Sequence, residues 1–325
     1  KQRDAAIREK KELQERFEAL DKVDDHVWRL KVEAPIPNFV SRSKRHTRFI
    51  SVCNLKGGVG KSTLTGNLGL GLGLKGRYVL MIDLDFQGTL SSYVGDPEKL
   101  AVVRSNHATS KKLLLPDAEA KLVHQLAVPV PGTSKVDLIP TDEGLELVEY
   151  SLQARFFVHR QQDVRFQLRK LLHDESVTNR YDYVLFDCPP RMTTACINAL
   201  TCSDVILLPT SLDQLDVAAV GRTLTWIKEL KDYLDCELIG VVLMKCSLRK
   251  GKLVKEDAMR LPSLQEKLNM PDIGSAVLLD AMIPDSPAIA RSAALRRPSV
   301  LDEETRHWFL DLVDEVEGRI RHEAG

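Results

Sequence analysis

Short apolar runs alternate with longer polar-apolar stretches along this chain. Residues 49–53, 78–82, 136–140, 181–187, 205–209, 237–244 and 277–283 are apolar, several of them rich in β-branched residues, and each predicts a strand. Most of them lack in/out alternation, as expected of parallel strands covered on both faces. Between them, residues 64–74, 143–156, 161–174, 216–234, 252–268 and 286–296 are helix-permissive or helically spaced. Strand and helix in alternation predict an α/β fold, a doubly wound, mostly parallel sheet with helices on both faces. A last helix over 302–322 sets Trp308, Phe309, Leu312, Val313, Val316 and Ile320 on one face. Its polar face carries Asp302, Glu303, Glu304, Asp311, Asp314, Glu315 and Glu317, which an anionic bilayer repels, so it is expected to pack on the sheet. Residues 96–135 show no clear period and are expected to be a variable surface insertion with one or two short helices.

At the N-terminus, residues 1–24 are dense in charge, with Ile7, Leu13, Phe17, Leu20 and Val23 forming one narrow apolar stripe. Such a helix docks on its own domain or on a partner helix, and both readings stay open. Pro35 and Pro37 begin a linker that ends in Arg42, Lys44, Arg45, His46 and Arg48. That cluster is either a solvated linker or a nucleic-acid contact. The chain divides accordingly into an N-terminal charged helix and linker, 1–47, and an α/β domain, 48–325. It opens on Lys1, so an upstream domain also stays open.

The chemistry concentrates at residues 56–63, Lys-Gly-Gly-Val-Gly-Lys-Ser-Thr, between a predicted strand and a predicted helix. Glycines at 57, 58 and 60 let successive backbone N–H groups, that of Val59 included, converge on an anion at the positive end of the helix. Lys61 supplies a mobile charge for the β- and γ-phosphates, and the Ser62 hydroxyl, followed by Thr63, is placed for Mg²⁺. This is a P-loop, with one departure. Leu55 stands where the usual pattern has glycine, and a second lysine, Lys56, follows it. Two lysines on one tight loop do not both fold over the same phosphates, so Lys56 is expected to point outward, towards a nucleotide held by another subunit.

Two more strand ends carry carboxylates. Residues 83–88 read Asp-Leu-Asp-Phe-Gln-Gly, and residues 187–190 read Asp-Cys-Pro-Pro. A strand ending in Asp, paired with an upstream P-loop, is the arrangement that holds Mg²⁺. These three motifs together resemble the ParA/MinD family of ATPases, on its ParA side, over roughly residues 48–322. The resemblance implies a P-loop NTPase fold, MgATP bound by Gly57, Gly58, Val59, Gly60, Lys61, Ser62 and Thr63, and Mg²⁺ held by Ser62, Asp83 and Asp187. It also implies that Asp85 orients the attacking water and that Lys56 acts across an ATP-bound homodimer. Residues 243–246 and 282–285, Pro284 among them, would hold the adenine. Phe86 and Arg191 depart from the family, which usually has proline and a small residue there. Slow hydrolysis serving as a timer is expected, because the loop offers no glutamate as a strong base.

Composition narrows the partners. Lys plus Arg equals Asp plus Glu, 46 each, so any affinity for nucleic acid must come from local patches. Lys245, Arg249, Lys250, Lys252, Lys255 and Arg260 form one basic run, joined by Arg291, Arg296 and Arg297, which fits either a solvated helix face or contact with DNA. Two functions therefore stay open. One is a ParA-like positioning ATPase that binds non-specific DNA and is stimulated by a protein partner. The other is a signalling or assembly switch that recruits a protein through the N-terminal helix. The absence of the family's Ile-Pro-Arg-Asn-x-Arg arginines after Pro284 counts against the first. No run is long enough to span a bilayer, so no membrane partner is expected. The six cysteines contain no Cys-x-x-Cys pair and are expected to be buried, reduced thiols of a cytoplasmic protein rather than disulfides or metal ligands.

Overall fold

The computed structural model describes residues 26–32, 36, 40–158, 162–269 and 277–322. The helix expected over 1–24 lies outside the described residues. The strands are β1 (Arg48–Val52), β2 (Val79–Asp83), β3 (Val128–Pro129), β4 (Val136–Ile139), β5 (Tyr183–Asp187), β6 (Val205–Thr210), β7 (Glu237–Cys246), β8 (Leu248–Arg249), β9 (Lys252–Leu253) and β10 (Ile283–Pro284). The helices are α1 (Lys61–Leu74), α2 (Thr89–Val94), α3 (Pro97–Ser105), α4 (Lys121–Leu126), α5 (Gly144–Val158), α6 (Gln167–Leu172), α7 (Glu175–Thr178), α8 (Thr194–Cys202), α9 (Gln214–Glu229), α10 (Lys255–Leu268), α11 (Pro287–Ala294) and α12 (Arg306–His322).

Eight strands form one sheet in the order β10-β7-β6-β1-β5-β2-β4-β3, parallel throughout except at the β3–β4 edge. Strands β2, β5 and β6 are buried along their whole length, which is why they read as unbroken apolar runs. In the register, Val52 of β1 and Asp83 of β2 both stand opposite Asp187 of β5. The ends of these three strands therefore open on one crevice, where α/β sheets bind ligands. Helix α1 fits beneath that crevice because it is glycine-rich. A methyl group on Gly69 would come within 2.4 Å of the Met81 sulfur, so the helix lies closer to the sheet than a larger residue allows. Against α1 and β7 lies α12, which buries Phe309, Leu312, Val313, Val316 and Ile320, the packing its apolar face predicts.

Three expectations need correction. Residues 277–283 do not form a strand. Leu278 makes a single bridge to Val241, and pairing with β7 resumes only at Ile283. The Glu315 carboxylate explains this, since it takes the N–H groups of Asp280 and Ala281 at 3.0 and 2.8 Å and leaves them no strand partner. Residues 96–135 are not a mere surface insertion, because Leu113, Leu114, Val123 and Leu126 are buried in the main core. The basic linker is largely tied to the domain, with only Lys44 and His46 left exposed among its basic residues. Arg45 makes two hydrogen bonds to Asp204, at 2.5 and 2.9 Å, with both side chains at most 5% exposed. Arg48 donates to the Arg42 and Arg45 carbonyls, and His46 pairs with Asp182. Arg45 and Arg48 fasten the linker to the domain.

His173, just after α6, lies under the same linker. Its ring stacks on Phe49 with centroids 4.6 Å apart, and its Nε2 donates to the Cys202 carbonyl at 3.0 Å. Burial first, and then the neighbouring Arg45 charge, hold its pKa down at about 3, against an ordinary 6.5. The folded chain thus keeps this ring neutral while the unfolded chain takes a proton below pH 6.5. Stability from this group is complete above that pH and is lost as pH falls towards 3. By about pH 5 the loss is expected to be ~2 kcal/mol. Urea unfolding at about pH 7.5 and about pH 5 checks this, with His173→Gln expected to show a pH dependence shallower by that amount.

Candidate functional site

Gly58 and Gly60 hold φ of +81° and +95°, a left-handed backbone that any side chain would strain, and Gly60 caps α1. The loop turns so that Lys61, only 7% exposed, donates from Nζ to the Lys56 carbonyl at 2.9 Å. Lys56 itself is half-buried, and its ammonium has no hydrogen-bond or ion-pair partner among the described residues. The two lysines of the loop are therefore held differently. The loop is tied down on both sides. The Leu55 N–H donates to Thr223 Oγ1 of α9 at 3.2 Å, and Lys245 Nζ, at the end of β7, donates to the Gly58 carbonyl at 2.7 Å.

Facing the loop stand the carboxylates. Asp83 and Asp187 are buried side by side. Asp83 Oδ2 accepts from the Ser91 N–H at 2.8 Å and the Ser91 hydroxyl at 2.6 Å, and its Oδ1 accepts from the Asp85 N–H at 3.2 Å. Burial nevertheless raises Asp83 to about 6. Asp187 is pushed well above the usual carboxylate range by burial and then by the Asp83 charge, with the Ser62 hydroxyl and the Lys61 ammonium pulling the other way. Thr65 Oγ1 donates to Asp187 Oδ1 at 3.3 Å, whereas Asp187 Oδ2 is buried with no hydrogen-bond partner. A buried, unpartnered carboxylate oxygen beside a second carboxylate and a helix-start hydroxyl fits a hard divalent cation such as Mg²⁺. Of the two carboxylates, only Asp187 has an oxygen with no hydrogen-bond partner. Asp85 is half-buried and accepts the Gln87 N–H at 3.1 Å, so its turn is self-contained and its carboxylate lies at the crevice rather than under it.

Comparison with known proteins shows the family. A family model described as an AAA domain (AAA_31) matches residues 47–239. The chain is 30% identical over 204 residues to the sporulation initiation inhibitor Soj of Bacillus subtilis, covering 62% of this chain and 74% of Soj. It is 28% identical over 258 residues to the chromosome partitioning protein ParA of Caulobacter vibrioides, covering 78% and 86%. This chain belongs to the ParA/MinD family of P-loop ATPases. A 32% identical protein of Mycobacterium tuberculosis aligns over 205 residues, 62% of this chain and 59% of its own length. Among solved structures, McdA of Cyanothece in complex with ATP superposes with a TM-score of 0.68 at 20% identity, covering 85% of this chain and 97% of McdA. MinD of Pyrococcus furiosus superposes with a TM-score of 0.59 at 24% identity, covering 83% and 98%. At such identities the superpositions speak for the fold.

Within this ParA/MinD chain the structure brings residues 56–63, Asp83, Asp85 and Asp187 to one crevice. Pro284 is buried in β10 opposite Cys246 of β7, further along the same sheet edge. The two groups are linked by β7. A methyl group on Gly60 would meet the end of Met244 at 3.0 Å, and Lys245 bonds the loop directly. Phe86 is half-buried, and with Gln87 it walls a cleft of about 670 Å³ whose other side carries Arg104, Lys111 and Asp142. An aromatic ring in place of the family's proline thus anchors the turn by packing. Arg191 is exposed. Sequence reasoning missed Thr65 and Ser91 as supports of the two carboxylates. Ser91 leaves no trace in spacing, but Thr65 lies one turn after Lys61 on the same helix, and that periodicity is a usable signal.

Proposed function

We propose that this protein is a ParA-like switch that binds MgATP, pairs face to face with a second copy, and hydrolyses ATP slowly to release the pair. The observation that carries this reading is the unpartnered Asp187 Oδ2, buried next to the hydroxyl and lysine of the loop. In this reading the backbone N–H groups of residues 57–63 and Lys61 hold the β- and γ-phosphates, Ser62 and Asp187 hold Mg²⁺, and Asp83 adds negative charge behind them. Mg²⁺ supplies charge neutralisation at the phosphates when bound. Asp85, at the mouth of the crevice, orients the attacking water, and Lys56, lacking a partner within the described chain, acts on the nucleotide of the other copy.

The switch acts in DNA partition or cargo positioning in this reading, which the name of the chromosome partitioning relative ParA supports. Arg249, Lys250, Lys252 and Lys255 support a DNA contact, since all four are exposed at the β8–β9 hairpin and the start of α10. Arg260 pairs instead with Asp213 and Asp257, and Arg291 pairs with Glu304. Four phosphate contacts would make binding to non-specific duplex DNA steeply salt-dependent. The alternative, recruitment of a protein partner through residues 1–24, is favoured if deleting residues 1–30 abolishes partner binding while DNA affinity persists.

The test is ATPase rate and oligomeric state for wild type and Lys61→Ala, with and without duplex DNA. Lys61→Ala removes a charge-assisted contact and is expected to weaken nucleotide binding by ~10–100-fold. Unchanged nucleotide affinity in that variant would sink the assignment of the loop. Wild type that shows no DNA retention at low salt would sink the partition reading alone.

A further inference from the structure

Three cysteines far apart in sequence meet behind the nucleotide crevice. The Sγ atoms of Cys53, Cys188 and Cys196 all lie within 4.8 Å of one another, and all three side chains are fully buried. Cys53 follows the last residue of β1, Cys188 follows Asp187 at the end of β5, and Cys196 lies in the first turn of α8. Each is fixed by backbone bonds of the fold. The Cys53 N–H donates to the Leu207 carbonyl at 3.1 Å, the Cys188 N–H to the Val52 carbonyl at 3.2 Å, and the Cys196 N–H to Thr193 Oγ1 at 3.3 Å. No sequence spacing announces this cluster, because its members come from two strand ends and a helix.

We propose that Cys53, Cys188 and Cys196 form a three-sulfur site for a soft monovalent cation, copper(I). The argument is first geometric. Three sulfurs in a plane around a metal at ~2.3 Å stand ~4 Å apart, and Cys53 Sγ and Cys196 Sγ are 3.9 Å apart. The site thus needs only small rotations of side chains on rigid elements. Ligand type selects the metal. Thiolate sulfur suits copper(I) and zinc, but zinc takes four ligands in almost every structural site. Among the described residues no histidine, aspartate, glutamate or further cysteine joins the group, so the site offers three. Binding displaces thiol protons to solvent and changes no oxidation state. A loaded site would tie the strand leading into the loop at 56–63 to the residue after Asp187.

The experiment uses the reduced, full-length chain under anaerobic conditions, with copper(I) delivered in competition with a chromophoric copper(I) chelator. Wild type is expected to take one copper(I) per chain from the chelator, with only sulfur neighbours in copper-edge X-ray absorption. Cys196→Ser should weaken binding by more than the ~10–100-fold that changes outside a ligand shell produce. Cys202→Ser and Cys236→Ser, which remove thiols outside the cluster, should bind as wild type does. The proposal is overturned if wild type leaves copper with the chelator, if Cys196→Ser binds as tightly as wild type, or if nitrogen or oxygen appears in the shell. Should Cys196→Ser fail to fold by circular dichroism, Cys196→Ala replaces it, and stoichiometry with the absorption edge of wild type still decides.

Discussion

Lys56→Ala is expected to bind ATP as wild type does and to lose hydrolysis by ~10³-fold, the low end of what a cation donated in trans contributes. The two halves of that result have separate causes in the loop. Lys61 is 7% exposed and lies against the Lys56 carbonyl, so the phosphate-facing lysine is positioned by the Lys56 backbone, which alanine keeps. The Lys56 ammonium makes no bond or ion pair among the described residues, so its removal leaves no buried partner stranded and costs the folded chain little. In the proposed pair, what the variant would lose is charge stabilisation across the two copies. Phosphate release under single turnover, a nucleotide-affinity measurement and light scattering with a non-hydrolysable analogue check the three parts together. A variant that hydrolyses ATP at the wild-type rate, or that fails to bind it, overturns the role assigned to Lys56. Failure to bind would mean that the side chain works within its own subunit.

How far the sequence reaches depends on whether the physics is local. The loop at 56–63 and the strands leading into Asp83 and Asp187 were legible because a glycine turn, an unbroken apolar run and a carboxylate at its end declare themselves within ten residues or so. Helix α12 was legible for the same reason, its apolar face being periodic. What was not legible rests on partners far along the chain. Arg45 and Asp204 are 159 positions apart, so a cation that looks solvated in sequence is at most 5% exposed in the fold. The strand expected at 277–283 is disrupted by Glu315, a residue on another helix 34 positions beyond Ala281. Its apolar pattern gave no warning, because periodicity reports burial and not which group takes each N–H. The cysteine cluster is the extreme case. Cys53 and Cys196 are 143 positions apart, and only the parallel order of β1 and β5 brings the strand ends into one place.

Asp187→Asn is expected to make the chain more stable and nearly inactive at once, because the same buried charge is a burden to the fold and a requirement of the site. Burial and the Asp83 carboxylate hold Asp187 well above its ordinary value. A carboxyl raised in the folded state favours folding at low pH and opposes it as pH rises from the unfolded value through the folded one. Asparagine removes that opposition while its side-chain oxygen still accepts the Thr65 hydroxyl that now bonds Oδ1. Each kcal/mol relieved raises the melting temperature by ~2–4 °C for a chain of this class, measured without nucleotide or Mg²⁺. Hydrolysis should fall by at least ~10³-fold, since a metal's share of transition-state stabilisation is several kcal/mol. Mg²⁺ together with ATP should raise the melting temperature of wild type and not of the variant. An Asp187→Asn chain that melts lower than wild type, or that keeps its turnover, would show that Oδ2 is satisfied by the protein itself and is not the atom that awaits a cation.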